Sequence, residues 1–217
     1  MKVFFCLVFV FGLAYNYELR SQSRDIYTNP SFDSLAKDHQ TLAILPFKVT
    51  SKLRPKEKTK LNPGDLETMQ REQGFIAQRS LYSYFMEEKT KKEFKVQFQD
   101  IGTTNVFLMN KKWKADSLQN IPAKLLADSL GVDGVISGDI FTDKPMSEGA
   151  SIAVGVLSDW IAFGPTNSGT CTIRIHNGDD NAVLWRYEKT LSRNFGSTIQ
   201  SIVNTMMRKA AKKFPYE

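Results

Sequence analysis

The chain has 217 residues, 41% of them hydrophobic and 24% charged, with 29 Lys and Arg against 23 Asp and Glu for a net charge of +6. These proportions sit near those of soluble globular proteins and exclude a disordered chain, a collagen-like repeat and a polytopic membrane protein. At roughly 150 residues per domain, the length suits one core better than two cramped ones.

Met1–Lys2 opens the chain and Val3–Ala14 follows as an uninterrupted apolar run. That run falls short of the ~17 residues needed to cross hydrocarbon. A positive start, a short apolar stretch and the polar Tyr15–Ser23 match a secretory signal peptide; Ser21 and Ala14 both offer a small residue before the cut, and Ser21, giving residues 1–21, is the favoured one. A polar leader over 22–40 and a single domain over 41–217 then remain, in a periplasmic or outer-membrane-associated location. Cys6 lies in the middle of the apolar run, whereas a lipid-bearing cysteine would stand directly after it, so lipidation is not expected. Once the signal is removed Cys171 is left alone, and an internal disulfide is ruled out.

In the leader, Asp33–Lys37 reads as a short helix, and Thr41–Val49 (TLAILPFKV) as a mostly buried strand with Pro46 near its end. Thr50–Met69, with Lys52, Arg54, Lys56, Lys58 and Lys60 beside Pro55, Pro63 and Gly64, reads as a long solvated loop. Glu72–Thr90 places Phe75, Ile76, Tyr82, Phe85 and Met86 near helical spacing, and Phe94–Phe98 alternates as a half-buried strand does. Asp116–Leu130 is a helix by its Leu118, Ile121, Leu125, Leu126 and Leu130, with Gly131 at the position where a left-handed residue ends helices. Val132–Phe141 enters at once as a strand. Gly169–His176 and Ala182–Thr190 alternate around Asn177-Gly178, a strong hairpin signal. Ser197-Thr198-Ile199-Gln200 is a capping box opening a helix faced by Ile199, Val203, Met206, Ala210 and Phe214. The elements predict an α/β (α+β-like) domain: a mixed β-sheet with helices packed on it, and a C-terminal β-hairpin followed by a helix.

Candidate chemistry is sparse. Gly134-Val135-Ile136-Ser137-Gly138 is G-x-x-S-G, not the G-x-S-x-G of a nucleophile elbow, and lacks the Lys and Ser/Thr of a phosphate-binding loop. Cys171 reads as a small buried strand residue. Asn177, Asp179 and Asp180 read as turn residues, not calcium ligands, since no glutamate follows at loop spacing. Asp139 and Asp143 form no recognisable acid/base set, and His39 and His176 are the chain's only histidines. No cofactor or metal is expected. Basic clusters stand at Lys52–Lys60, Lys89–Lys95, Lys111-Lys112-Lys114 beside Trp113, and Arg208–Lys213. In a secreted chain they would meet anionic envelope polymers and lipid headgroups, so nucleic acid is not expected as a partner. Met146–Ser168 carries small residues with Ile152, Val154, Val156, Trp160 and Phe163 and few charges, which makes those five the candidate interface.

Leu42-Ala43-Ile44-Leu45-Pro46-Phe47, then Leu130-Gly131-Val132-Asp133-Gly134-Val135-Ile136-Ser137-Gly138, then Ala182-Val183-Leu184-Trp185 resemble in order and spacing the CsgG/LpoB-like envelope proteins. Lys144–Ala150 and Ile175–Asp179 resemble an uncharacterised secreted family of Bacteroidetes-type bacteria. The resemblance implies a non-enzymatic envelope protein that works by association: with a protein partner, with itself, or with the outer membrane or peptidoglycan. A subunit of an outer-membrane oligomeric secretion channel and an envelope hydrolase with an unrecognised site are the alternatives. The leader reading is checked by mass spectrometry of the protein from its native host. Loss of about 21 residues is the expected result; an intact Met1 in a cytoplasmic fraction overturns it.

Overall fold

Pro46 divides the apolar stretch that opens the domain. In the computed structural model, which describes residues 24–53, 55, 59, 61–143, 168–192 and 199–217, strand β2 (Thr41–Ile44) stops before Pro46 and β3 (Lys48–Lys52) begins after it. Both run parallel to β5 (Gly134–Asp143): β2 lies along Gly134–Ile136 and β3 along Asp139–Asp143. With β1 (Arg24–Thr28), β4 (Gln97–Phe98), β6 (Ser168–Asn177) and β7 (Val183–Ser192) they make one seven-stranded mixed sheet of order β1-β7-β6-β5-β2-β4, β3 joining through β5. The α+β-like sheet with packed helices read from the sequence is the architecture found.

Period-two alternation sends side chains to two cores. Leu42, Ile44, Ile136, Ile140, Ile173, Ile175, Trp185 and Tyr187 face α2 (Asp65–Lys89) and α5 (Ile199–Ala211). Ala43, Leu45 and Val135 face a second layer of α3 (Ile101–Asn110), a 3₁₀ turn (Ala115–Asn120) and α4 (Ala123–Leu130), where they meet Leu108, Leu118, Leu126 and Leu130. No helix among the described residues is long and apolar enough to cross a membrane.

The structure redraws several elements. The polar leader contributes α1 (Phe32–Leu35) and β1, an edge strand antiparallel to β7 whose residues are all exposed to some degree and carry no alternating burial. α2 begins at Asp65, well before Glu72, and its buried line is Gly74, Ala77, Gln78, Leu81 and Phe85; Phe75, Ile76, Tyr82 and Met86 are half-buried beside it. Gly74 selects that face, because the carbonyl oxygen of Phe47 lies 2.1 Å from where a Cβ would stand. The helix expected over Asp116–Leu130 is two pieces, since Pro122 is extended (ψ 137°) and α4 starts after it. Gly131, at φ 68°, ends α4 left-handed as expected. From Phe94 to Phe98 burial alternates as expected, yet only Gln97–Phe98 pairs as strand. The capping-box residues Ser197-Thr198 and the candidate interface Ile152, Val154, Val156, Trp160 and Phe163 lie outside the described residues, while Val203, Met206, Ala210 and Phe214 are buried as read.

α3 was not legible as a helix. It starts on Asp100, whose carboxylate accepts the Thr103 N–H at 2.8 Å, and it is fixed to α2 by a reciprocal amide pair. Gln78 Nε2 donates to Asn105 Oδ1 at 3.0 Å and Asn105 Nδ2 returns a bond to Gln78 Oε1 at 3.0 Å. Gln78 also donates to the Ile44 carbonyl at 2.7 Å, a strand-end acceptor beyond the pairing of β4.

Gly138 carries a comparable constraint: a Cβ there would lie 2.0 Å from the Phe47 ring. Gly138→Ala and Gly74→Ala are each expected to destabilise the protein by roughly 2–3 kcal/mol through overpacking. For Gly74 this outweighs the ~1 kcal/mol that alanine gains in a helix interior. Urea melts check this; a neutral or stabilising Gly74→Ala would show that α2 can back away from Phe47.

Candidate functional site

The second helical layer lies chiefly over β2 and the first part of β5. Beyond it the same sheet face runs on across β5, β6, β7 and β1 as mostly polar side chains, with the exposed Phe141 toward the end of β5, and the cross-strand register sorts eight of them into two rows. One row is Ser137, Arg174, Arg186 and Tyr27; the next is Asp139, Thr172, Glu188 and Asp25. Arg174 Nη1 lies 2.5 Å from Asp139 Oδ2, and Arg186 Nη2 lies 2.5 Å from Asp25 Oδ2. Gln119 Nε2 donates to the other Asp139 oxygen at 2.5 Å, and the Thr172 hydroxyl to Glu188 at 3.3 Å. With their side chains a third or more exposed, such pairs contribute only about 0–1 kcal/mol each to stability. Their value lies in patterning a surface with two guanidinium groups beside three carboxylates.

At the border of this face the strands bring together two residues that the sequence left apart. Ser137 Oγ is 3.2 Å from His176 Nε2, across the β5–β6 pair. His176 also bonds the Asn181 backbone, while burial, then the Arg174 charge, hold its pKa below the ordinary histidine range. A neutral imidazole beside a hydroxyl is the arrangement of a general base and a nucleophile. The rest of the arrangement differs from that chemistry: the Asp139 carboxylate turns to Arg174 and Gln119 rather than to the imidazole, and Ser137 sits mid-strand, in register with Arg174. Asp139 is an ion-pair partner of Arg174 on the surface of the sheet.

The residues carrying the family resemblance hold the fold together. Asp133 Oδ2 accepts the N–H groups of Gln40 at 2.7 Å and Thr41 at 2.8 Å, ordering the entry to β2. The Asp133 carbonyl accepts the Gly178 N–H at 2.9 Å, and a Cβ on Gly178 would lie 2.7 Å from it. Around this junction lies an open cleft of about 570 Å³, lined by His39, Asp128, Asp133, Asn177, Asp179 and Asp180 among others. His39 spans it, with Nδ1 2.8 Å from the Tyr216 hydroxyl and Nε2 3.1 Å from Asn177 Oδ1. Asp180 accepts from Asn177 Nδ2 and from the Ala182 N–H, both at 2.9 Å, so it builds the turn between β6 and β7. That turn is longer than a two-residue hairpin, with Asn181 left-handed at φ 64°. Among the described residues no three His, Cys, Asp or Glu side chains are grouped to hold a metal ion.

Cys171 is fully buried and desolvation pushes its thiol pKa far up, which makes it inert as a nucleophile. The charged rows were open to a sequence reader, since Arg174, Arg186 and Glu188 fall at outward positions of two alternating strands. What alternation lacks is the partner strand, and β1 has no periodic signal.

Because folding holds His176 neutral, its contribution to stability is present above the ordinary histidine pKa of about 6.5 and declines as pH falls below it. Urea melts across pH 5 to 8 should show this decline in the native protein and a shallower one in His176→Gln. Equal pH slopes in the two proteins would remove His176 from the account.

No family model and no curated protein matches the chain. Solved structures similar to it include a PelC dodecamer from Paraburkholderia phytofirmans, at 13% identity over 87% of this chain and 94% of that one, with a TM-score of 0.40. Lipoprotein GNA1162 from Neisseria meningitidis is similar at 11% identity over 80% and 96%, with a TM-score of 0.45. The LpoB C-terminal domain from Escherichia coli is similar at 8% identity over 76% and 94%, with a TM-score of 0.40.

Proposed function

We propose that the chain is a secreted, non-enzymatic cell-envelope protein, periplasmic or outer-membrane-associated, that acts by binding a protein partner or a second copy of itself. The observation that carries this reading is the half-exposed sheet face on which Arg174 and Arg186 stand in one row and Asp139, Glu188 and Asp25 in the next. Charge rows of this kind select and orient a partner more than they stabilise a monomer. The apolar run after Lys2 supports export, with residues 1–21 as the signal peptide, 22–40 as leader and 41–217 as the domain. The resemblance to CsgG/LpoB-like proteins agrees with association as the mode of action. Ile152, Val154, Val156, Trp160 and Phe163 are proposed as a further part of the contact surface.

The hydrolase alternative has one geometric observation in its favour, the Ser137–His176 contact of 3.2 Å. It is set aside because no carboxylate orients the imidazole among the described residues and the Asp139 oxygens are taken by Arg174 and Gln119. A channel subunit would require detergent-dependent assemblies, because membrane strands must close into a barrel.

Size-exclusion chromatography with light scattering tests the proposal on the native protein and on Arg174→Glu/Arg186→Glu, alone and mixed with extracted envelope proteins. Loss of an assembly in the variant with an unchanged melting temperature is the expected result; an assembly indifferent to both arginines overturns the role of this face. Trp160→Ser/Phe163→Ser should likewise weaken assembly without lowering the melting temperature. An ester- or amide-hydrolysis screen in which Ser137→Ala abolishes turnover while the fold holds would move the enzyme reading ahead.

A further inference from the structure

Helix α3 (IGTTNVFLMN) contains no charged residue, and only Thr104 and Leu108 of it are buried. On its outer side Gly102, Val106 and Met109 follow one another at helical spacing, with Val106 52% and Met109 68% exposed. They are the two most exposed of the large hydrophobic side chains among the described residues. The turn that follows delivers Lys111, Lys112 and Lys114 around the half-buried Trp113. Its shape is fixed by backbone bonds: Lys111 N–H to Phe107 O at 3.0 Å, Lys112 N–H to Met109 O at 2.9 Å, Trp113 N–H to Leu108 O at 2.9 Å. Lys112 is left-handed at φ 57°, and Lys111 Nζ lies 5.7 Å from the centre of the Phe107 ring. None of the three ammonium groups is paired with a described carboxylate. The nearest acids in sequence are Asp100, which caps the far end of the helix, and Asp116, in the 3₁₀ turn.

A helix C-terminus by itself favours cations, and that could account for the lysines. It does not account for an uncharged helix exposing valine and methionine one turn away. We propose that α3 and the Lys111–Lys114 turn form a docking surface for an anionic lipid bilayer. The lysines meet headgroup phosphates while Val106 and Met109 enter the boundary between headgroups and acyl chains, with Trp113 at the level where indoles concentrate. Charge complementarity selects lipid: three unpaired, flexible ammonium groups around a small apolar stripe suit a fluid phosphate surface, which supplies countercharges without a shaped pocket. This surface lies on other elements than the Arg174–Arg186 rows and stands independently of the association proposed for them.

The test is co-sedimentation of the full chain with vesicles of mixed phosphatidylglycerol and phosphatidylcholine, and with vesicles of phosphatidylcholine alone. The apolar N-terminal run contributes to both, so the reading is the ratio of the two affinities. At roughly 5-fold per basic residue near an anionic surface, Lys111→Gln/Lys112→Gln/Lys114→Gln should lower that ratio by about 100-fold, with circular dichroism melts unchanged. Val106→Ser/Met109→Ser should weaken binding to the anionic vesicles while keeping its salt dependence. A ratio indifferent to the three lysines overturns the proposal. So does an unchanged affinity of the serine variant, which would leave long-range attraction without docking, and so does an absence of preference for anionic vesicles in the native chain, which would assign the stripe to a protein partner.

Discussion

The contact between Phe47 and two glycines organises the rest of the sheet. Pro46 ends β2, and Leu45 makes the last parallel bond of that segment, its N–H reaching Ile136 O at 2.9 Å. Phe47 then donates to the Gly74 carbonyl at 3.1 Å and lays its ring on Gly138. A side chain at 138 would push the ring outward, and one at 74 would push the Phe47 backbone away from α2. With the ring seated, β3 resumes beside Asp139–Asp143, and β5 keeps one straight ladder to β6 along its whole length. The wedge occupies the core face at 138, so Ser137 and Asp139 must point to the other face, where they meet His176 and Arg174.

Polar groups inside the molecule follow the same break. Where β2 stops short, Ile44 leaves a carbonyl that Gln78 takes, and that glutamine is fully buried. A buried amide without partners would cost more than the bonds contribute, so Asn105 closes the set. At the other end of the sheet the accounts are less complete. Among the described residues the buried Tyr187 hydroxyl has no hydrogen-bond partner, and its pKa is raised to about 12 by desolvation first and the neighbouring Cys171 second. Lys189, opposite Cys171 on the core face of β7, is 5% exposed, and burial lowers its pKa. β7 therefore breaks the simple polar-out reading at Lys189, between the fully buried Tyr187 and Leu191.

Which elements were legible depended on whether local chemistry or tertiary contact decides them. Gly131 requires its left-handed angles for local reasons and is legible on that ground, as are the buried line of α5 and the alternation of β6 and β7. Pro122 also acts locally, but the leucines around it keep a helical spacing across the break, and spacing alone cannot see that the chain is extended there. α3 breaks the rule in the opposite sense: Gly102, Thr103 and Thr104 are poor helix formers, and its apolar residues point to core and solvent alike. β1 holds the strand-favouring Ile26, Tyr27 and Thr28 but no burial period, and is held by pairing with β7. The Ser137–His176 contact and the pairing of Arg174 with Asp139 and of Arg186 with Asp25 belong to the same class, because each depends on strand register, although the outward positions of Arg174, Arg186 and Glu188 are legible from alternation.

Two kinds of surface follow from this division of the sheet. Near β2 the second layer of helices buries Ala43, Leu45 and Val135, and the outer side of α3 in that layer is apolar with lysines at its end. Across β5, β6, β7 and β1 the same sheet face carries paired charges that the fold does not require for stability. Substituting those charges leaves the wedge at Phe47 and both cores untouched, whereas substituting the motif residues Asp133, Gly134 or Gly138 removes a backbone partner or fills an occupied space. Asp133, Gly134 and Gly138 thus build the scaffold, while the charged rows on β6 and β7 and the outer side of α3 are surface on which the two cores do not depend.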